Sequence, residues 1–82
     1  METVNGIEEF VQYVVTGLAD DPGRASVSSS KEGDRHVIRV KVAPDDMARL
    51  LGRSGNTVSA VRNLAVAAGA RHGVEVGVEV HD

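Results

Sequence analysis

Leu50-Leu51-Gly52-Arg53-Ser54-Gly55-Asn56-Thr57-Val58 is the stretch that decides the fold of this 82-residue chain. Two glycines bracket an arginine and a serine. A short apolar-periodic segment (Met47, Leu50, Leu51) precedes them, and a longer one (Val58, Val61, Leu64, Ala65, Ala68) follows. The pattern is that of a tight turn between two helices, with a cation at its tip. Glycine permits positive φ and, lacking a Cβ, lets another backbone approach. The second glycine opens a helix whose unpaired N–H groups and positive dipole end suit an anion, a phosphate above all. Four residues alone are equally the signature of an ordinary helix–helix turn, so the flanks have to decide.

On the N-terminal side, Ala43-Pro44-Asp45-Asp46 is a helix start. Asp45 or Asp46 can cap it, and acids suit its positive end. This predicts a helix of barely two turns over about 45–51. On the C-terminal side the predicted helix runs over about 56–70, with Ser59, Arg62, Asn63 and Val66 opposite the apolar stripe. Val66 is the odd member of that polar side and a candidate partner contact. Gly69 and Gly73 flank the helix exit, with Arg71 and His72 near its negative end.

Further out lie the strands. In Arg35 to Val42, the residues His36, Ile38, Val40 and Val42 alternate with Arg35, Val37, Arg39 and Lys41, which predicts one buried and one wet face over about 35–42. Val74, Val76, Val78 and Val80 alternate with Glu75, Gly77, Glu79 and His81, predicting a strand over about 74–81. Ala25, Val27 and Ser29 alternate with serines over about 25–31, a poor strand of the kind tolerated at a sheet edge. Glu32-Gly33-Asp34 then reads as a hairpin turn. A first helix over about 6–19 carries Ile7, Val11, Val14 and Leu18 at helical spacing. Asn5 is its expected N-cap and Glu8 completes a capping box. Asp20-Asp21-Pro22-Gly23 ends it, and Asp20, ill-suited to a helix C-terminus, belongs to the turn. Phe10 is expected in the core and Tyr13 at the stripe's edge. A short hairpin makes the first two strands antiparallel. A two-helix crossover makes the second and third parallel and right-handed. The expected fold class is α+β in the order α-β-β-α-α-β, a single domain over 1–82 with a three-stranded mixed sheet and three helices on one face.

Net charge is −3, but its distribution is uneven. Glu2, Glu8, Glu9, Asp20, Asp21, Glu32 and Asp34 crowd the N-terminal part. From Met47 to Val74 there is no acid, while Arg49, Arg53, Arg62 and Arg71 are present. Cysteine is absent, which excludes a disulfide framework and thiolate metal sites. No cofactor or metal is expected, since His36, His72 and His81 lack ligand spacing. No apolar run approaches the roughly 20 residues of a membrane span, and no basic-then-apolar leader is present, so a cytoplasmic protein is expected. An enzyme is not expected. The histidines share no motif with a serine, and a Walker loop requires Lys-Ser or Lys-Thr where Asn56-Thr57 stands. A duplex-reading helix-turn-helix would need more cations than Ser59, Arg62 and Asn63 supply.

The element order, with G-x-x-G between the last two helices, resembles the type II KH fold. Glu9-Phe10-Val11-Gln12-Tyr13-Val14-Val15, the break from Leu18 to Pro22, and Asp45-Asp46-Met47-Ala48-Arg49-Leu50-Leu51-Gly52-Arg53-Ser54-Gly55 resemble the small stand-alone bacterial KH proteins of the KhpA family. The chain departs in its loop, where Arg53-Ser54 replaces the lysine-glutamine or lysine-arginine of many relatives. Arginine keeps the charge and adds a planar fork; serine removes a long polar side chain. The resemblance implies single-stranded RNA binding, as an RNA chaperone or post-transcriptional regulator, with Gly52, Arg53, Ser54, Gly55 and Asn56 at the phosphates. Arg49 and Arg62 would add contacts or field from the two helices. Leu50, Leu51, Ile38 and Val40 would supply the walls or floor of a groove for bases. No aromatic flanks the loop, so ring stacking is not expected and sequence selectivity should be low. The resemblance also implies a homodimer, or a heterodimer with a larger KH-containing protein of the KhpB type. The alternative function is that of a protein-interaction subunit of such a heterodimer, with weak RNA contact of its own; net acidity, Ser54 and Val66 motivate it.

Overall fold

The computed structural model describes residues 2–51 and 55–81. Helix α1 (Glu2–Leu18) and a short 3-10 turn (Pro22–Arg24) lead into β1 (Ser26–Glu32) and β2 (Arg35–Lys41). Helices α2 (Pro44–Leu51) and α3 (Gly55–Arg71) follow, and β3 (Glu75–His81) closes the order. The sheet is β1-β2-β3, with β1 antiparallel and β3 parallel to the central β2. Gly33 and Asp34 alone link β1 to β2, and Gly33, with φ +65, stands first in the loop, where a II′ turn takes glycine.

Helix α1 begins a turn earlier than its cap signals suggest. Asn5 lies inside it, because Val4 and Ile7 are both buried and extend the stripe of Val11 and Val15 towards the N-terminus. The core gathers that stripe, Ile38 and Val40 of β2, Leu50 of α2, Val61 and Ala65 of α3, and Val74, Val76 and Val78 around β3. Phe10 and Leu64, both expected inside, are instead 39% and 58% exposed. Helix α3 meets the sheet through the narrow row Val61, Ala65 and Gly69, which leaves Leu64 about 100° round the helix from the contact. Phe10 and Leu64 face one groove between α1 and α3, floored by Gly6, Ile7, Ala65 and Ala68.

On the face away from the helices, β2 presents a charged surface. Arg39 donates to Ser30 Oγ (2.6 Å) and pairs with Glu32, and its Nε lies 3.8 Å from Glu79. The Arg35 guanidinium lies over Gly77, occupying the space a Cβ would fill. These two arginines flank Val37, which is only 1% exposed although it points away from the helices.

Helix α3 ends in a Schellman motif. Gly73, with φ +72, donates to Ala70 O (3.1 Å) and Val74 donates to Gly69 O (2.8 Å). Helix α2 starts with Pro44 at its first position, and Met47 donates to Ala43 O (2.9 Å). Asp46 does not cap its own helix. Its carboxylate, on a residue only 2% exposed, accepts the main-chain N–H of Asp20 (2.9 Å) and of Asp21 (3.0 Å) in the chain leaving α1. These two donors hold the Asp46 carboxyl below the usual carboxylate range, helped by Arg49 and Arg24 and opposed by burial.

Two predictions follow from this packing. A Cβ on Gly69 would sit 2.6 Å from Val76 Cγ2 and 2.7 Å from the Val74 carbonyl oxygen. Gly69→Ala therefore lowers stability by about 1–3 kcal/mol, whereas Gly17→Ala, in the open in α1, raises it by about 0.5–1 kcal/mol. Urea unfolding of both variants is the check, and equal shifts of one sign would refute the close approach. For Asp46, the folded-state pKa is depressed, so its contribution is complete above the unfolded value of about 3.9 and is lost as pH falls through the folded one. Asp46→Asn offers a single acceptor oxygen, so the parent's urea midpoint exceeds the variant's at neutral pH. The gap narrows below about pH 4. A gap independent of pH would show that the charge of Asp46 is not what holds the two amides.

Candidate nucleic-acid interface

The α2–α3 hairpin is where the sequence places its anion-binding turn. Gly52, Arg53 and Ser54 lie outside the described residues, as do the side chains of Leu51 and Asn56. Leu51 ends α2 and Gly55 opens α3, so 52–54 are the whole connection between the helices.

The cations around this connection are engaged by different elements. Arg49, in the last turn of α2, forks onto the Asp20 carboxylate, with Nη1 2.8 Å from Oδ1 and Nη2 paired with Oδ2. Both side chains are partly exposed, so the pair contributes about 0–1 kcal/mol. Arg62 lies two turns along α3 from Gly55, and its Nε reaches the Val78 carbonyl oxygen of β3 at 3.4 Å. Since β3 is an edge strand, that contact covers one of its free acceptors. Arg49 is thus turned towards the α1 exit and Arg62 towards β3.

Three of the four residues expected to wall a groove for bases are buried, and the side chain of the fourth, Leu51, is outside the described residues. Ile38 is 0% exposed, Val40 1% and Leu50 1%. Strand alternation sets Ile38 and Val40 on the helix-bearing face of the central strand, where all three helices close over them. Val40 and Leu50 do meet at an apolar cleft with Val14, Leu18, Val58 and Val80, but its room of about 20 Å³ holds roughly one water, not a nucleobase. All three belong to the hydrophobic core and present little surface of their own.

Sequence reasoning missed two features here. One is the Asp46 carboxylate, read as a cap, which grips the segment after α1. The signal was the pair Asp20-Asp21 standing where a helix dipole disfavours acids. The other is the exposed Phe10–Leu64 groove, for which the periodicity of α1 and α3 held no signal. Val66, at 44% exposed, does stand on the solvent side of α3. Among the described residues no group of three or more His, Asp or Glu could hold a metal, and no helix is long and apolar enough to cross a membrane.

The family model for the KhpA/KhpB KH domain matches residues 8–80. The chain is 37% identical over 70 residues to the RNA-binding protein KhpA of Streptomyces coelicolor, covering 85% of this chain and 87% of that one. It is 36% identical over 80 residues to the RNA-binding protein KhpA of Mycobacterium leprae, covering 95% and 94%. To the KhpA of Halalkalibacterium halodurans it is 29% identical over 76 residues, covering 93% and 100%. No solved structure gives a significant match. With a family model spanning nearly its whole length and an α-β-β-α-α-β order around a mixed sheet, the chain belongs to the KhpA/KhpB KH-domain family.

Proposed function

We propose that the chain is a single KH unit over 1–82 that binds single-stranded RNA in the cytoplasm, as an RNA chaperone or post-transcriptional regulator, and that its role is binding rather than catalysis. The observation that carries this reading is the three-residue, glycine-bracketed link between α2 and α3, set in a stretch free of acids from Met47 to Val74. The relatives' name, RNA-binding protein, supports it. Main-chain N–H groups around Gly52 to Gly55 hold consecutive phosphates, and Arg53, Ser54 and Asn56 supply side-chain contacts. Arg49 and Arg62 contribute positive field. Bases lie outside the buried Ile38, Val40 and Leu50.

With about 2–4 phosphates engaged at roughly 0.7 each, the log–log salt slope is about −1.5 to −3. Changing Gly52→Asp and Gly55→Asp together places two carboxylates at the phosphate site and abolishes binding of an oligoribonucleotide in fluorescence anisotropy. If the double variant stays folded and binds like the parent, the reading is wrong.

A second reading, association with another KH chain, is favoured by the groove between α1 and α3. Phe10 is the chain's only phenylalanine, and it stands with Leu64 at the surface. The partner is a second copy, or a larger KH-containing protein of the KhpB type. For the homodimer, sedimentation equilibrium of the parent gives twice the chain mass, and Leu64→Glu gives the mass of one chain. A parent that sediments as one chain leaves only the larger partner, and a variant that still dimerises moves the interface elsewhere.

A further inference from the structure

We infer that Asp20 acts as a built-in competitor for RNA: its carboxylate holds the Arg49 guanidinium that a phosphate would otherwise take, and so sets the strength of binding at the α2–α3 hairpin. The inference rests on the RNA-binding reading above and adds to it a determinant from a different part of the chain.

Three observations carry it. Arg49 stands two residues before α2 ends at Leu51, about 3 Å along the helix axis, and is the cation of α2's last turn. Its guanidinium is engaged by both oxygens of Asp20 in a forked pair. Carboxylate and phosphate offer that fork the same two-oxygen geometry, so one excludes the other from it. Finally, Asp20 is not a loose surface acid. Its own N–H is fixed by the buried Asp46 carboxylate, which also takes the N–H of Asp21. The clasp therefore holds the Asp20 backbone beside α2 and keeps its carboxylate within reach of Arg49. Both partners remain open enough for exchange, at 37% exposure for the Arg49 side chain and 66% for that of Asp20.

An incoming phosphate thus meets a neutral pair where the sequence shows a free cation. It must either displace Asp20 from Arg49 or bind without that arginine. Removing the Asp20 charge frees Arg49 while leaving the main-chain N–H that Asp46 needs.

The experiment is a two-by-two set on the full chain: parent, Asp20→Asn, Arg49→Gln, and both together, titrated against a short oligouridylate across a range of salt. Asp20→Asn should tighten binding by about twofold to fivefold, the range of an exposed ion pair, and steepen the salt slope by about 0.7, the value for one further phosphate. In the Arg49→Gln background, adding Asp20→Asn should change neither quantity. Equal tightening in both backgrounds would reduce Asp20 to a general negative field and overturn the inference. Unchanged or weaker binding by Asp20→Asn would overturn it too. Asp20→Ser, which also keeps the N–H, is read by the same criteria where Asp20→Asn lowers the melting temperature. A parent that binds no RNA, or binds as well with Asp at both Gly52 and Gly55, sinks the underlying reading; a parent that passes those tests but shows no Arg49-dependent gain sinks this inference alone.

Discussion

A parallel neighbour cannot be reached from a strand by a tight turn, and this constraint organises the whole molecule. β3 pairs with β2 in parallel, Arg35 against Glu75 and Lys41 against His81, so the chain leaving the end of β2 must travel back to its beginning. A seven-residue strand is about 23 Å long at 3.3 Å per residue. The 17 residues of α3 span about 25 Å at 1.5 Å per residue. The return helix matches the strand it must pass. α2 is the short piece between β2 and that return, and residues 52–54 join it to α3. A corner between helices exposes the N-terminal amides of the second one. The same requirement that makes the sheet mixed therefore gives α3 its N-terminal end at the place where the sequence predicts an anion.

The helices are seated closely on the sheet. The core is built largely of valines and contains no aromatic side chain, so contact depends on short distances between elements rather than on large side chains. Gly69 is the clearest instance, since α3 approaches β3 until no Cβ can be admitted. Because the contact row on α3 is narrow, its neighbours fall outside it. Leu64 emerges beside Phe10, and an apolar surface appears as a by-product of tight packing against the sheet.

The strands were legible because period-two alternation is local: each residue of β2 and β3 declares its face through its immediate neighbours. The hairpin and the exit from α3 were legible because glycine at positive φ has few substitutes. What escaped depends on contacts remote in sequence. Asn5 has the chemistry of a cap, but the burial of Val4 by elements far along the chain draws the helix past it. Asp46 has the chemistry of a cap too, yet its partners are the amides of Asp20 and Asp21, 26 and 25 positions away. Ile38 and Val40 were rightly set on the apolar face. Whether that face was open to a base depended on how completely the three helices covered it, and alternation alone carries no information on that. Leu64 illustrates the reverse error, an apolar residue at helical spacing that the width of the contact leaves outside.

Charge shows the same limit in a form that bears on function. Counted along the chain, the segment from Met47 to Val74 is purely basic, an apt surface for a polyanion despite a net charge of −3. Folding changes that count. Of the acids of α1 and β1, Glu32 is paired with Arg39 and Glu8 accepts from Ser29, both outside the basic stretch, and across solvent at about 0.1 M salt a charge's influence fades within roughly 10 Å. Asp20 differs, being in direct contact with Arg49, and Asp46 secures the chain that carries it. The basic stretch therefore reaches the solvent with one of its arginines already matched, and Arg62 is drawn to the carbonyl edge of β3. Among the described residues of this stretch, the arginine left by that accounting is Arg71, in the last turn of α3. Residues 47–74 contain no phenylalanine, tyrosine or tryptophan, so this stretch offers no such ring on which a base could stack.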